Sequence, residues 1–218
     1  MLSQMLHTID NAFKLTSKEV GEYRSMKVNG MKFTIWAYDA AGLGHVSAMH
    51  AEGFFGLMKM DTLIVTPTVV DMPLLSYDRD YAMGNDTLIV ELYDTLLSNT
   101  DLTQLSQCKQ NCAQLPDHDL GSHWYDSIKL TESLSKKGKK QHTKAFDEAA
   151  HQYLMRYLQI AGTAANCDMT QKLEKASVYV EGLLSHGGPS TDVFKKGIGE
   201  QKTADLFRHV LFGTTSKI

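Results

Sequence analysis

The sequence predicts an α/β fold, a three-layer α/β/α sandwich with a central antiparallel β-sheet. Two observations lead there. Between Met31 and Tyr93, apolar and polar residues alternate in successive short segments separated by compact turn signals. Strands joined so closely pair antiparallel, because parallel neighbours need long crossovers. On either side of this block the apolar spacing becomes helical, which supplies helices to cover the faces of the sheet.

The elements follow in order. Leu2, Met5, Leu6, Ile9 and Phe13 recur near helical spacing and predict an amphipathic helix within residues 2–26, ended by Gly30. Met31–Tyr38 reads as the first strand, and Asp39–Gly44 (DAAGLG) as a turn. Those glycines do not form a phosphate loop, since no Lys-Ser/Thr follows. Val46–Phe55 is the second strand and Thr62–Thr66 the third, stopped by Pro67. Leu74–Tyr81 is the fourth, after the corner Asp71-Met72-Pro73. Gly84-Asn85-Asp86 signals a hairpin into Thr87–Tyr93. Residues 98–142 are polar and read as irregular, with the charge run Lys136–Lys140 taken as a solvated loop. Helices are predicted over 143–166 and 169–185, then, after Gly187-Gly188-Pro189, from a Ser190 cap to Gly197, and over 200–212.

Composition narrows the function. A chain of 218 residues with 43% hydrophobic content suits one domain spanning residues 1–218. A net charge of −3 and a pI near 6.3 do not suggest a nucleic-acid partner. No run approaches the roughly 18 apolar residues of a membrane span, and the N-terminus lacks a basic, then apolar leader. Three cysteines, an odd number, argue against a disulfide framework and fit a reducing compartment. The expectation is a cytoplasmic monomer without a membrane partner. Cys108, Cys112, His118 and His123 have metal-ligand chemistry, but the two pairs stand about half as far apart as in a usual zinc finger. No metal is expected.

The acids of the strand block need a reason. His50, Glu52, Asp61, Asp71 and Asp78 all lie in segments that otherwise alternate as strands. Strand interiors disfavour Asp, and burying an unpaired carboxylate costs several kcal/mol. Each therefore has either an exposed face or a task. Asp71, before Met-Pro, reads as a corner residue whose carboxylate caps a turn. For Asp78 and Glu52 a solvated strand face and a catalytic role both stay open, and for His50 a structural hydrogen bond or a proton relay. Met49, Met58, Met60, Met72 and Met83 suit core packing, or the wall of a flat aromatic pocket.

Order and spacing together resemble the ferredoxin-dependent bilin reductases, which reduce biliverdin and related linear tetrapyrroles. His50-Ala51-Glu52 matches the family's His-x-Glu strand segment, Thr62–Pro67 its strand ending in Pro, Asp71-Met72-Pro73 its Asp-Leu-Pro, and Asp78 the Asp that follows. Ser190–Gly199 and Val210-Leu211-Phe212 are similar to its C-terminal turn and closing helix. The resemblance implies a bilin held between the sheet and the C-terminal helices. It implies electrons delivered singly by reduced ferredoxin or flavodoxin, with no bound cofactor. Glu52 and Asp78 would donate protons, with His50 as a relay. Many members carry a His on the strand before the Pro; Thr62 stands there, with Asp61 beside it as a possible substitute. A propionate-binding Lys of the family aligns with Pro189, while Lys129 aligns with an Arg that binds the other propionate. Lys136–Lys140, or Lys195 and Lys196, would attract an acidic electron donor. The alternative is a protein of the same fold that binds a bilin without reducing it.

Overall fold

The computed structural model describes residues 1–215. Helix α1 (Leu2–Ala12) turns Leu2, Met5 and Ile9 inward. It is shorter than predicted, because the inward positions of the next turn fall on the polar Thr16 and Ser17. Two short strands follow instead, β1 (Leu15–Lys18) and β2 (Ser25–Val28), with a 3-10 turn at Gly21–Arg24 between them. The predicted strand block is present as β3 (Met31–Ala40), β4 (Gly44–Gly53), β5 (Met58–Pro67), β6 (Leu74–Ala82) and β7 (Asn85–Tyr93).

The stretch read as irregular holds two elements, α2 (Thr103–Asn111) and β8 (Leu134–Lys139). Part of the lysine run is thus an edge strand rather than a loop. The charge pattern concealed it because Lys136 faces inward, where its ammonium meets the Asp117 carboxylate at 2.6 Å and the Leu115 carbonyl at 3.1 Å. The chain closes with α3 (Thr143–Ala161), α4 (Met169–His186), α5 (Pro189–Ile198) and α6 (Glu200–Asp205), which runs on as a π-helical segment over Leu206–Leu211.

The strands form one sheet in the order β1-β3-β4-β5-β6-β7-β8, with β2 sharing the edge of β3, and all pairs are antiparallel. Its two faces bury separate cores. On the first, Val46, Ala48, Leu63, Val65, Leu75, Tyr77, Leu88 and Val90 pack against α1, α2 and α3. On the second, Phe33, Ile35, Met49, Ile64, Leu74 and Tyr93 pack against α4, α5 and the C-terminal π-helical segment. The three-layer sandwich is therefore as predicted. Periodicity alone did not assign helices to faces; the burial pattern does.

Each layer is tied down by charge. On the first face Arg79 grips Asp86 with two nitrogens, at 2.7 and 2.8 Å, and lies over the Phe146 ring of α3. Behind the second layer Lys172 of α4 is fully buried, and its ammonium meets Asp71 Oδ1 and the Thr95 carbonyl, each at 2.7 Å. Asp71 also accepts from the Leu97 and Ser98 N–H groups and the Ser98 hydroxyl. Burial alone would raise its pKa, but Lys172 and these donors outweigh that and hold it at about 2. Asp71 is thus a structural corner residue, as its place before Met-Pro suggested. The π-helical segment is held by β4: His45 Nε2 meets the Val210 carbonyl at 2.8 Å, and Ser47 donates to the Leu211 carbonyl at 2.7 Å.

Lys172→Met should destabilise the protein by about 3–5 kcal/mol, since it leaves a buried carboxylate unpaired. Adding Asp71→Leu should recover a large share of that loss. Urea unfolding of wild type, single and double variants checks this.

Candidate active site

Strand register decides which of the predicted site residues can act together. Across β4 and β5, His50 stands opposite Asp61 and Glu52 opposite Lys59. Across β5 and β6, Thr62 stands opposite Asp78. Directly opposed residues share a face, and neighbours along a strand alternate. Val46, Ala48 and Leu63 belong to the first core, so His50, Glu52 and Asp61 share that face. Ile64 belongs to the second, so Met60, Thr62 and Asp78 share the other.

The expectation that Glu52 and Asp78 serve one ligand therefore fails: the sheet lies between them. Glu52 is exposed, with Lys32 and Lys59 opposite it on the flanking strands. His50 Nδ1 contacts Asp61 Oδ1 at 2.6 Å, a pair half-buried on the first face. Asp61 accordingly does not stand in for a histidine beside Asp78.

The second face gathers a different set. Thr62 donates to Asp78 Oδ1 at 2.6 Å, and Ser76 to Oδ2 at 3.3 Å. Asp80 lies two residues on, on the same face, with its Oδ1 buried and without a hydrogen-bond partner among the described residues. Glu91 of β7 stands opposite Ser76. It accepts from the Tyr93 hydroxyl at 2.6 Å and meets the Lys129 ammonium at 3.5 Å. Lys129, just after a 3-10 turn at Trp124–Ile128, also meets Asp126 at 2.7 Å. So Lys129, Thr62, Asp78 and Met60 come together on this side, while His50, Asp61 and Glu52 do not. Asp80, Glu91, Ser76 and Tyr93 join them unpredicted.

Aromatic rings border these acids. Tyr93 stacks on Tyr179 of α4 with centroids 4.1 Å apart, and Tyr125 meets Tyr93 edge-on at 5.6 Å. Trp124 lies so close over Gly182 of α4 that a side chain there would collide with the indole, and its N–H donates to the Gly187 carbonyl at 3.1 Å.

The environment sets the chemistry. Asp78 is pushed up to about 7, first by burial, then by repulsion from Asp80 and Glu91, against the opposing hydrogen bonds from Thr62 and Ser76. Burial pushes Asp80 up to about 6. A carboxyl titrating near neutrality can give or take a proton at ambient pH, the condition a general acid requires. Two concavities lie on the opposite side of the sheet. The one between α2 and β8 is lined by Lys109, Asp117, His118, Thr131 and Lys136, and its lysines are committed to Asp117 and to the Leu115 and Thr131 carbonyls. Cys108 and Cys112 turn into the first core rather than toward His118 and His123.

No family model matches this sequence, and no curated protein matches it. Among solved structures the fold is similar to that of phytochromobilin synthase from tomato, in complex with biliverdin. The TM-score is 0.80 at 13% identity, over 100% of this chain and 86% of that one. At that identity the likeness is one of fold.

Because Asp78 holds its proton to about pH 7 when folded but to about 4 when unfolded, the folded state binds the extra proton between those values. Stability should fall as pH rises through that window, and Asp80 acts in the same direction. Asp78→Asn should flatten the profile and be the more stable form at pH 8 by about 2 kcal/mol, a figure discounted for the carboxyl's partial contact with water. Thermal unfolding of both proteins from pH 4 to 8 measures it.

Proposed function

We propose that this protein is a bilin reductase. It takes electrons singly from reduced ferredoxin or flavodoxin, without a bound flavin or nicotinamide, and delivers protons to a biliverdin-type tetrapyrrole from Asp78. The observation that carries this reading is the setting of Asp78: a carboxyl with a raised pKa, held by the Thr62 and Ser76 hydroxyls, on the sheet face that the C-terminal helices cover and that also carries the Tyr93–Tyr179 stack. The likeness of the fold to a protein that binds biliverdin supports it, as does the resemblance over the strand block.

Each two-electron reduction adds two electrons and two protons to the tetrapyrrole. A proton given first by Asp78 to a ring nitrogen or lactam oxygen lets the electron enter without building up negative charge in an apolar site. Thr62 and Ser76 hold the carboxyl in place and steady the carboxylate left behind. Asp80, beside it, raises the cost of leaving Asp78 ionised and so favours its reprotonation. Lys129 is the cation on this side that would meet a propionate, exchanging its Asp126 contact for the ligand's carboxylate. Met60 contributes polarizable wall. Glu52, on the opposite face, has no part in the reaction.

The test is an anaerobic absorbance time course with biliverdin, followed by a ferredoxin-reducing system. A shift on mixing and then a blue-shifted product is expected. A shift on mixing with no second change would favour a bilin-binding protein that does not reduce its ligand. Asp78→Asn should slow reduction by about 100-fold or more while the binding shift persists. Glu52→Gln should alter turnover by less than about twofold, as for an exposed residue away from the site. Equal turnover in Asp78→Asn would remove the proton-donor role.

A further inference from the structure

Phe54, Phe55, Leu57 and Met83 are 53%, 108%, 59% and 82% exposed. They sit at two adjoining turns, β4–β5 and β6–β7, joined where the Met83 N–H donates to the Leu57 carbonyl at 3.3 Å. Phe54, Phe55 and Met83 have φ of 53°, 59° and 50°, in the left-handed region that bulky side chains seldom enter. The chain thus holds large apolar groups outward in a strained conformation. Apolar patches of several hundred Å² mark interaction surfaces.

Behind the tips lies a cationic row. Lys27, Lys32, Glu52, Lys59 and Tyr81 stand opposite one another across β2 to β6 and so share the first face. All five are exposed. Glu52 is the acid of the row, against three lysines. Lys139 and Lys140 lie at the same end, for Lys139 pairs with Asn85 beside the β6–β7 turn. A chain of net charge −3 therefore concentrates positive charge around its apolar tips.

We infer that this end of the sheet docks on an anionic lipid bilayer, the turn residues entering the headgroup layer and the lysines meeting lipid phosphates. Protruding tips favour lipid over protein. A stable protein interface needs on the order of 800 Å² of complementary surface per partner. A bilayer accepts isolated apolar projections, and each nearby lysine strengthens the contact. The inference does not depend on bilin chemistry. It also differs from a membrane span: no helix among the described residues is long and apolar enough to cross a membrane.

The experiment is co-sedimentation with vesicles of phosphatidylglycerol and phosphatidylcholine, and with phosphatidylcholine alone, at low and high salt. Binding to the anionic vesicles that weakens with salt is expected. Phe54→Asn with Phe55→Asn, which keeps a residue tolerant of the left-handed region, should weaken it roughly tenfold or more with unfolding unchanged. Lys32→Glu with Lys59→Glu should abolish the salt-sensitive part. No binding at low salt, or binding indifferent to both variants, would overturn the inference. So would a dimer in lipid-free solution that the Asn variant dissolves, which assigns the tips to a second copy. Loss of ferredoxin-supported turnover in the Lys variant without any vesicle binding would assign the surface to an acidic protein instead.

Discussion

The buried pair of Lys172 and Asp71 is the constraint on which the candidate site rests. It joins the first turn of α4 to the corner between β5 and β6, and through Leu97 and Ser98 to the chain leaving β7. Those three strands and α4 supply Thr62, Asp78, Glu91, Tyr93 and Tyr179. A buried ion pair contributes little net stability against an apolar replacement of similar shape, but it penalises every arrangement in which one partner loses the other. Its effect here is registry. With α4 fixed on Asp71, Tyr179 stacks on Tyr93 and Gly182 receives Trp124, which places aromatic rings beside the carboxylates of the sheet.

The two faces then divide the chemistry. The first gives its inward charges direct partners, Arg79 with Asp86 and His50 with Asp61. The second leaves carboxyls short of cations. Satisfied charges suit a face that serves packing and surface contact, whereas unsatisfied carboxyls beside aromatic rings store the proton affinity that acid catalysis uses.

Much of the fold was legible because a sheet whose faces are both buried must alternate cleanly, and β3 to β7 do. The elements missed were those whose sequence argues against their state. In β8, lysines occupy a strand, with Lys136 neutralised by Asp117; α2 offers mainly Leu105 and Cys108 to the core. Asp78 was legible from its neighbours, but its separation from Glu52 by the sheet was not, because a register shift of one residue moves a side chain through the sheet. The second strand was read as running on to Phe55, whereas Phe54 and Phe55 lie in a left-handed turn that fixes the pairing of Glu52 with Lys59. Glu91 was within reach. A tight turn at Met83-Gly84 pairs Ala82 with Asn85, and counting back from there sets Glu91 opposite Ser76, on the face of Asp78.

The hydrogen bond from Thr62 does not by itself keep Asp78 ionised. Threonine offers a neutral hydroxyl only, and it is spent on Asp78 Oδ1. On this face Glu91 has Lys129 and the Tyr93 hydroxyl, while Asp78 has hydroxyls alone and Asp80 leaves an oxygen buried and unpartnered. Three neighbouring carboxyls, of which Glu91 alone meets a lysine among the described residues, cannot all be ionised at low cost. Both acids of β6 are accordingly raised, Asp80 to about 6 by burial, and Asp78 to about 7 by burial with repulsion from Asp80 and Glu91 added.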